Sequence, residues 1–366
     1  MKHGSDLQSV LETILGSIFH YKSSDLEPGN TGPGFVNTLL SSAIFTQVKG
    51  QTEVHLSFED FRNWSTHVPS MRKCLGSLLI PPSQGRPGFE VPLLEVPQNI
   101  ERNVLLLKKE FAWHICGALS QHVTGEWKLL YHSDVDGLSF NTFFGRVSSH
   151  KAGTVLIIRD KGGHIYGGYA SQPWERHNDF YGDLKSFLFQ LHPKALVFKP
   201  TGANNNVQWF AVNFSSENVP NGIGFGGKAN HFGLFISASF DTGHSFPSIT
   251  FGNPGLSSGP TIAPLVIECW AVTQKEAVLL TRDSTKGTVL ERFKEERNML
   301  GCHVAVCDWS LNSANDGQDS ELQSFGPFQV VFMAQFCSWV GNGIGTMAQA
   351  CKTDQFWPGS RSKTRP

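Results

Sequence analysis

The chain has 366 residues, with 30 basic and 31 acidic side chains and a formal net charge of −1, which excludes the basic excess of a general nucleic-acid binder. Only 17% of the residues are charged and 40% are hydrophobic, so this is a folding chain with material for roughly two domains rather than a charged disordered one. With 37 glycines, and 28 phenylalanines against 5 tyrosines, the composition favours a β-rich protein with tight turns and an aromatic core.

The start, MKHGSDLQSVLETILG, has no long apolar run and carries an early acid, so it does not read as a secretory signal. Position 2 is Lys2, where N-myristoylation needs glycine. The first 80 residues read as helical. Leu7, Val10, Leu11, Ile14, Leu15, Ile18 and Phe19 fall on one helical stripe, with Ser5 and Gln8 spaced for a capping box. A second helix is expected near 35–45. A third is expected after Ser57, where Glu59 and Asp60 suit the positive end of a helix dipole. Helix–loop–helix repetition suggests an EF-hand pair, yet no D-x-[DN]-x-[DN]-G loop closed by a glutamate occurs, so calcium binding is not expected. From 81 to 100, prolines at 81, 82, 87, 92 and 97 predict a semi-rigid linker. A helix is expected over 101–119, on the spacing of Val104, Leu107, Phe111 and Ile115.

From 128 to 272 the pattern changes to short apolar runs: 154–159, 195–199, 207–214, 232–240 and 265–272. Turn signals at 160–163, 201–206 and 221–227 separate them, which predicts antiparallel sheets packed face to face with few helices. Beyond 272 the pattern degrades. A short charged helix is expected at 288–300, and 323–351 holds no Asp, Glu, Lys or Arg. Its strongly apolar part, 328–340, is shorter than the roughly 20 residues a membrane-spanning helix needs. This tail, 273–366, is expected to be poorly ordered.

Few motifs in the sequence carry chemistry. Gly222-Ile-Gly224-Phe-Gly226-Gly227 spells G-x-G-x-x-G, but a strand-like sequence follows instead of a helix, so a glycine-rich turn is expected rather than a dinucleotide loop. Asp134 and Asp136 in SDVDG lack the rest of a calcium loop and read as an Asx-turn. His164, His177, His231 and His244 show no metal-ligand spacing. No G-x-S-x-G elbow or recognisable active-site cysteine occurs. Glu175 and Glu268 remain acid/base candidates in principle, and Cys269 reads as a buried thiol. The seven cysteines (74, 116, 269, 302, 307, 337 and 351) are odd in number and include no C-x-x-C. A disulfide framework or zinc finger is therefore not expected, and a reduced setting is. No catalytic residue, cofactor or metal is assigned.

The segments LLYHSDVDGLSFNTF, TVLIIRDKGGHIYGGYAS, DFYGDLKSFLFQL and FGG…FGLFI…SFPSITFGNP…ECWAV, in that order, resemble the TLDc domain over about 127–272. The flank VHLSFEDFRNWSTHVPSMRKCLGSLL is similar to that of the family's lysosomal, mTOR-associated branch, whose N-terminal part is a degenerate EF-hand-like region. The resemblance implies an α+β fold: a two-sheet antiparallel β-sandwich with flanking helices, preceded by that helical region. The implied plan is 1–80 helical, 81–100 linker, 101–272 TLDc domain with its leading helix, and 273–366 divergent tail.

It also implies a non-catalytic interaction protein at the cytosolic face of the lysosomal membrane. Its implied partners are the vacuolar proton-pumping ATPase and mTOR complex components, with peripheral membrane association. Oxidative-stress protection, as an enzyme or factor of unknown chemistry, is the alternative. An alternative terminus from splicing or read-through would account for the unusual start and the unmatched tail. Exposed loop residues are the candidates for partner contact: Asp134, Asp136, Lys161, His164, Glu175, Arg176, His177, Asn178 and Lys228. Gly167, Gly168, Gly226 and Gly227 are expected to let strands turn or approach closely, and Phe180, Tyr181, Phe187, Phe189, Phe251 and Trp270 to fill the core.

Overall fold

The first apolar stripe folds into helix α1 (Gly4–Phe19), which buries Leu7, Leu11, Ile14, Leu15, Ile18 and Phe19 along one face, with Val10 half-buried at its margin. The computed structural model describes residues 4–19, 31–47, 54–79, 86–119 and 125–273. Ser5 and Gln8 are spaced for a capping box at the start of this helix. Ser5 lies inside the helix, and Gln8 Nε2 donates to Glu12 Oε1 at 2.8 Å, one turn on.

Helix α2 (Thr31–Ser42) packs on α1 and is followed by an antiparallel ribbon of β1 (Thr46–Gln47) and β2 (Val54–His55). Within 1–80, the region read as degenerate EF-hand-like, the linking segments 20–30 and 48–53 lie outside the described residues. Helix α3 (Phe58–His67) opens on a reciprocal cap: Ser57 Oγ accepts the Asp60 N–H at 3.0 Å, and Asp60 Oδ2 accepts the Ser57 N–H at 3.2 Å. Pro69 has no N–H to continue the ladder, so the chain breaks at Val68 and restarts as α4 (Pro69–Leu78). Buried Trp64 ties α3 to α2 through an indole N–H donated to Ser42 Oγ at 2.8 Å.

The proline-rich stretch does more than link. After a 3-10 turn at Pro87–Phe89, β3 (Leu93–Glu95) pairs in parallel with β4 (Glu126–His132) as an edge strand. Prolines at 92 and 97 bracket it, where a missing N–H costs no ladder bond. The helix expected over 101–119 is shorter. Arg102–Val104 form a 3-10 turn, Leu105–Leu107 leave helical geometry, and α5 (Lys109–Ala118) starts after them. Leu105, Leu106 and Leu107 are all buried, and the amides of the last two are bound elsewhere in the core.

Short helices α6 (Ser133–Asp136) and α7 (Phe140–Val147) follow β4. The strands β5 (Thr154–Asp160), β6 (Ile165–Ala170), β7 (Phe187–His192), β8 (Leu196–Phe198) and, at the end of the described chain, β14 (Pro264–Val272) complete a seven-stranded sheet of order β3-β4-β14-β5-β6-β7-β8. A five-stranded antiparallel sheet contains β9 (Gln208–Ala211), β10 (Gly222–Lys228), β11 (His231–Ser237), β12 (Gly243–His244) and β13 (Thr261–Ile262), in reverse order. One cluster joins the sheets: Tyr131, Leu156, Ile158, Tyr166 and Ile267 meet Phe210, Ile223, Phe225 and Leu234. The molecule is an α+β two-sheet sandwich with flanking helices.

The glycine-rich stretch expected as a turn at 221–227 is a central strand, β10, paired on both sides. Its alternation is real, with glycine as the outward residue. Ile223 and Phe225 enter the core, while a Cβ on Gly222 or Gly224 would lie 2.6 Å or 2.9 Å from the rings of Phe235 and Phe232. Gly226 and Gly227, at φ +68° and +85°, then turn the strand's end toward the hairpin. In β6, a Cβ on Gly168 would stand 2.8 Å from the Phe225 ring of the opposite sheet, and one on Gly167 would strike the Leu156 carbonyl. The tail beyond 273, with its expected helix, its four cysteines and its uncharged stretch, lies outside the described residues.

Candidate functional site

Glu268 is the single carboxylate in the nine-residue run PLVIECWAV of β14, and it is fully buried. Its Oε1 accepts the Leu106 N–H at 2.5 Å. Its Oε2 accepts the Leu107 N–H at 3.1 Å and the Trp270 indole N–H at 2.8 Å. Such a set of donors replaces the lost hydration of a buried carboxylate. His132 Nε2 stands 3.4 Å from Oε1, and the Asp134 N–H donates to His132 Nδ1 at 3.2 Å. That bond leaves Nε2 to carry the proton that faces Glu268. The Glu268 carboxylate holds the His132 pKa above its ordinary value, against the opposing effect of burial. Both side chains have zero exposure, so neither is presented to a substrate in this conformation. Glu268, an acid/base candidate in the sequence, is placed as a brace for the 105–107 segment.

The described thiols are equally withdrawn. Burial pushes Cys74 and Cys269 up to about 12 and Cys116 up to about 11, the last with smaller effects from Lys73, which lowers it, and Glu90, which raises it. A nucleophilic cysteine needs the thiolate, which these sites disfavour. Among the described residues, no three side chains of the His, Cys, Asp and Glu types gather as a metal site. No described helix is long and apolar enough to cross a membrane.

The loop candidates fall in separate places. Asp136 is largely enclosed: it accepts the His132 N–H at 3.0 Å and the Arg146 guanidinium at 2.6 Å, so it fastens α6 to α7, while Asp134 beside it is exposed. Lys161 and half-buried His164 sit in the β5–β6 hairpin, where the His164 N–H donates to buried Asp160 at 2.9 Å. The loop with Glu175–Asn178 follows the other end of β6, a strand of about 17–20 Å, so the two groups do not converge.

In that second loop, Arg176 donates to the Val212 and Asn213 carbonyls at 2.7 Å and 3.1 Å and lies over the Phe214 ring, while His177 stacks on Tyr181 at 4.1 Å. These two hold the loop against β9. Glu175 makes an exposed ion pair with Lys151 at 3.6 Å, and Asn178 is exposed. Lys228 is exposed in the β10–β11 hairpin, opposite His231. Phe187, Phe189, Phe251 and Trp270 are buried, and Phe180 and Tyr181 are half-buried.

Sequence reasoning missed the polar anchors. Asp160 Oδ2 accepts the Tyr166 and Ser257 hydroxyls at 3.2 Å and 2.6 Å, which joins the β5–β6 hairpin to a loop 97 residues away in sequence. His132 was missed as well. The signal was a single polar residue closing an apolar run, Asp160 at the end of TVLIIRD and His132 at the end of EWKLLYH.

A family model for the TLDc domain matches residues 100–273. The chain is 32% identical over 200 residues to the mTOR-associated protein MEAK7 of Xenopus laevis, covering 54% of this chain and 42% of that protein. It is 29% identical over 353 residues to MEAK7 of Gallus gallus, covering 83% and 72%. It is 30% identical over 145 residues to Oxidation resistance protein 1 of Bos taurus, covering 40% and 16%. The chain spans 42% of the length of the frog relative and 59% of that of Danio rerio MEAK7.

Proposed function

We propose that this protein, which carries a TLDc domain over residues 100–273, works by protein contact at the cytosolic face of the lysosomal membrane. There it engages the vacuolar proton-pumping ATPase and supports mTOR signalling. The carrying observation is the disposition of charge. The best-matched acid/base pair, Glu268 and His132, is buried within the fold, whereas Asp134 on α6, Lys161 and Lys228 at hairpin ends and Asn178 in a loop are exposed on a rigid sandwich. The similarity to proteins named for mTOR association supports the signalling half. Capture on the full chain from detergent-solubilised lysosomal membranes tests the pump half. Pump subunits enriched above a bead control are expected, and a folded chain that enriches none would refute it.

A second reading, protection against oxidants, is favoured by the similarity to Oxidation resistance protein 1. It would have to proceed without the three described thiols, which are buried and held protonated. Peroxide consumption by the purified chain that persists in a Cys74→Ser/Cys116→Ser/Cys269→Ser variant would establish it. No consumption above buffer would remove it.

A further inference from the structure

The corner where α3 meets α4 rests on the end of β8. Helix α3 packs on β8, and the His67 ring stands edge-on to buried Phe198, centroids 6.1 Å apart. Lys199 follows Phe198, and Arg72 and Lys73 lie at the start of α4, so three cations from two distant parts of the sequence share this corner. Burial of part of its stem and the repulsion of Arg72 and then Lys73 hold the Lys199 ammonium below its ordinary range. Lys199, Arg72 and His67 are exposed, and Lys73 is half-buried.

Among the described residues none of the three cations forms an ion pair, whereas Arg62, Lys128, Arg146 and Lys151 each have a carboxylate within 4.0 Å. Helix α4 adds to the field, since its first turn holds no acid and no side chain caps it. Glu90, which is exposed, acts on the buried Cys116 thiol with the sign opposite to that of Lys73, so an acid borders the patch on the Lys73 side. The accumulation is local, because the whole chain carries a net charge of −1.

We propose that Arg72, Lys73 and Lys199 form a docking patch for the phosphate-bearing headgroups of an anionic membrane leaflet. An anion placed among them relieves their mutual repulsion, which supplies a driving force that a paired surface lacks. The chemistry favours a leaflet over a single oriented phosphate. Two of the three are lysines, point charges without the planar fork that fixes one phosphate in one direction. A field of mobile headgroups satisfies such charges from many positions, with a contribution of about fivefold in affinity per cation near the surface. The proposal deepens the peripheral membrane association in the reading above and rests on it.

Vesicle flotation with the full chain tests it, using phosphatidylcholine alone or mixed with phosphatidylserine or a phosphatidylinositol phosphate, at low and high salt. No pump is present, so failure here is separate from failure of pump capture. Flotation with the anionic vesicles alone, weakened by salt, is expected. Arg72→Gln/Lys73→Gln/Lys199→Gln should lower binding on the order of a hundredfold, with thermal unfolding unchanged, and Lys161→Gln/Lys228→Gln should leave it intact. Equal binding by both variants would overturn the patch. Inorganic phosphate that displaces the chain at matched phosphate concentration, or a phosphopeptide bound where anionic vesicles are not, would overturn the membrane as the source.

Discussion

The two sheets seat polar backbone inside an aromatic core by opposite means. The seven-stranded sheet keeps a charge: Glu268, at zero exposure, gathers the Leu106 and Leu107 amides and the Trp270 indole around one carboxylate. The five-stranded sheet removes side chains: β10 offers Gly222 and Gly224 to the rings of Phe235 and Phe232 and sends Ile223 and Phe225 inward. The first device depends on hydrogen bonds that must all be present, the second on space that must stay empty. They therefore fail differently.

The largest expected effect tests the charged device. Glu268→Leu leaves buried donors without an acceptor, at about 1–3 kcal/mol each, so a loss of about 4 kcal/mol in urea unfolding is expected. A variant within ~1 kcal/mol of the wild type would break the comparison, since the carboxylate would then not be what holds 105–107. The spatial device gives a smaller effect. Gly224→Ala in β10 pushes a methyl into the Phe232 ring and should cost about 2 kcal/mol. If the contrast is right, trimming the ring in Gly224→Ala/Phe232→Leu recovers part of that loss, whereas no second-site trimming rescues Glu268→Leu.

The helical layer extends the comparison to a buried base kept neutral. His114 on α5 has zero exposure, its Nδ1 lies 2.9 Å from Ser70 Oγ on α4, and its ring meets Phe35 of α2 edge-on. Burial pushes its pKa down to about 3. Between that value and the ordinary histidine range, near 6.5, the unfolded chain binds a proton that the folded chain refuses. This contribution is therefore full above about pH 6.5 and falls as pH drops toward 3, a loss of about 2 kcal/mol by pH 5. His114→Gln should flatten that part of the stability–pH curve, and an unchanged slope would assign it to other groups. The smallest effect belongs to the α3 cap, where Ser57→Ala should lower stability by about 1 kcal/mol in thermal unfolding, with no dependence on Phe232 or Glu268.

Elements whose pattern is periodic and local were legible. The stripe of α1 and the apolar runs of β5, β11 and β14 could be read because burial on one face, or on both, repeats at a fixed step. β10 was not, because glycine scores as a turn former and only the Phe232 and Phe235 rings across the sheet explain it. The α5 start was overextended for a related reason. Val104, Leu107, Phe111 and Ile115 keep helical spacing, but the amides of Leu106 and Leu107 are claimed by a carboxylate 162 and 161 residues away. Site residues were the hardest. Arg176 and His177 look free in the sequence, and only the fold reveals that they clasp 212–213 and Tyr181.

The central claim is contact through exposed sandwich loops, and lysine cross-linking with mass spectrometry on intact lysosomes tests it most directly. The full chain is predicted to cross-link from Lys161 or Lys228 to subunits of the proton-pumping ATPase, and Lys161→Glu/Lys228→Glu should weaken pump capture without lowering the unfolding temperature. A folded, membrane-recovered chain with no cross-link to any pump subunit would contradict it.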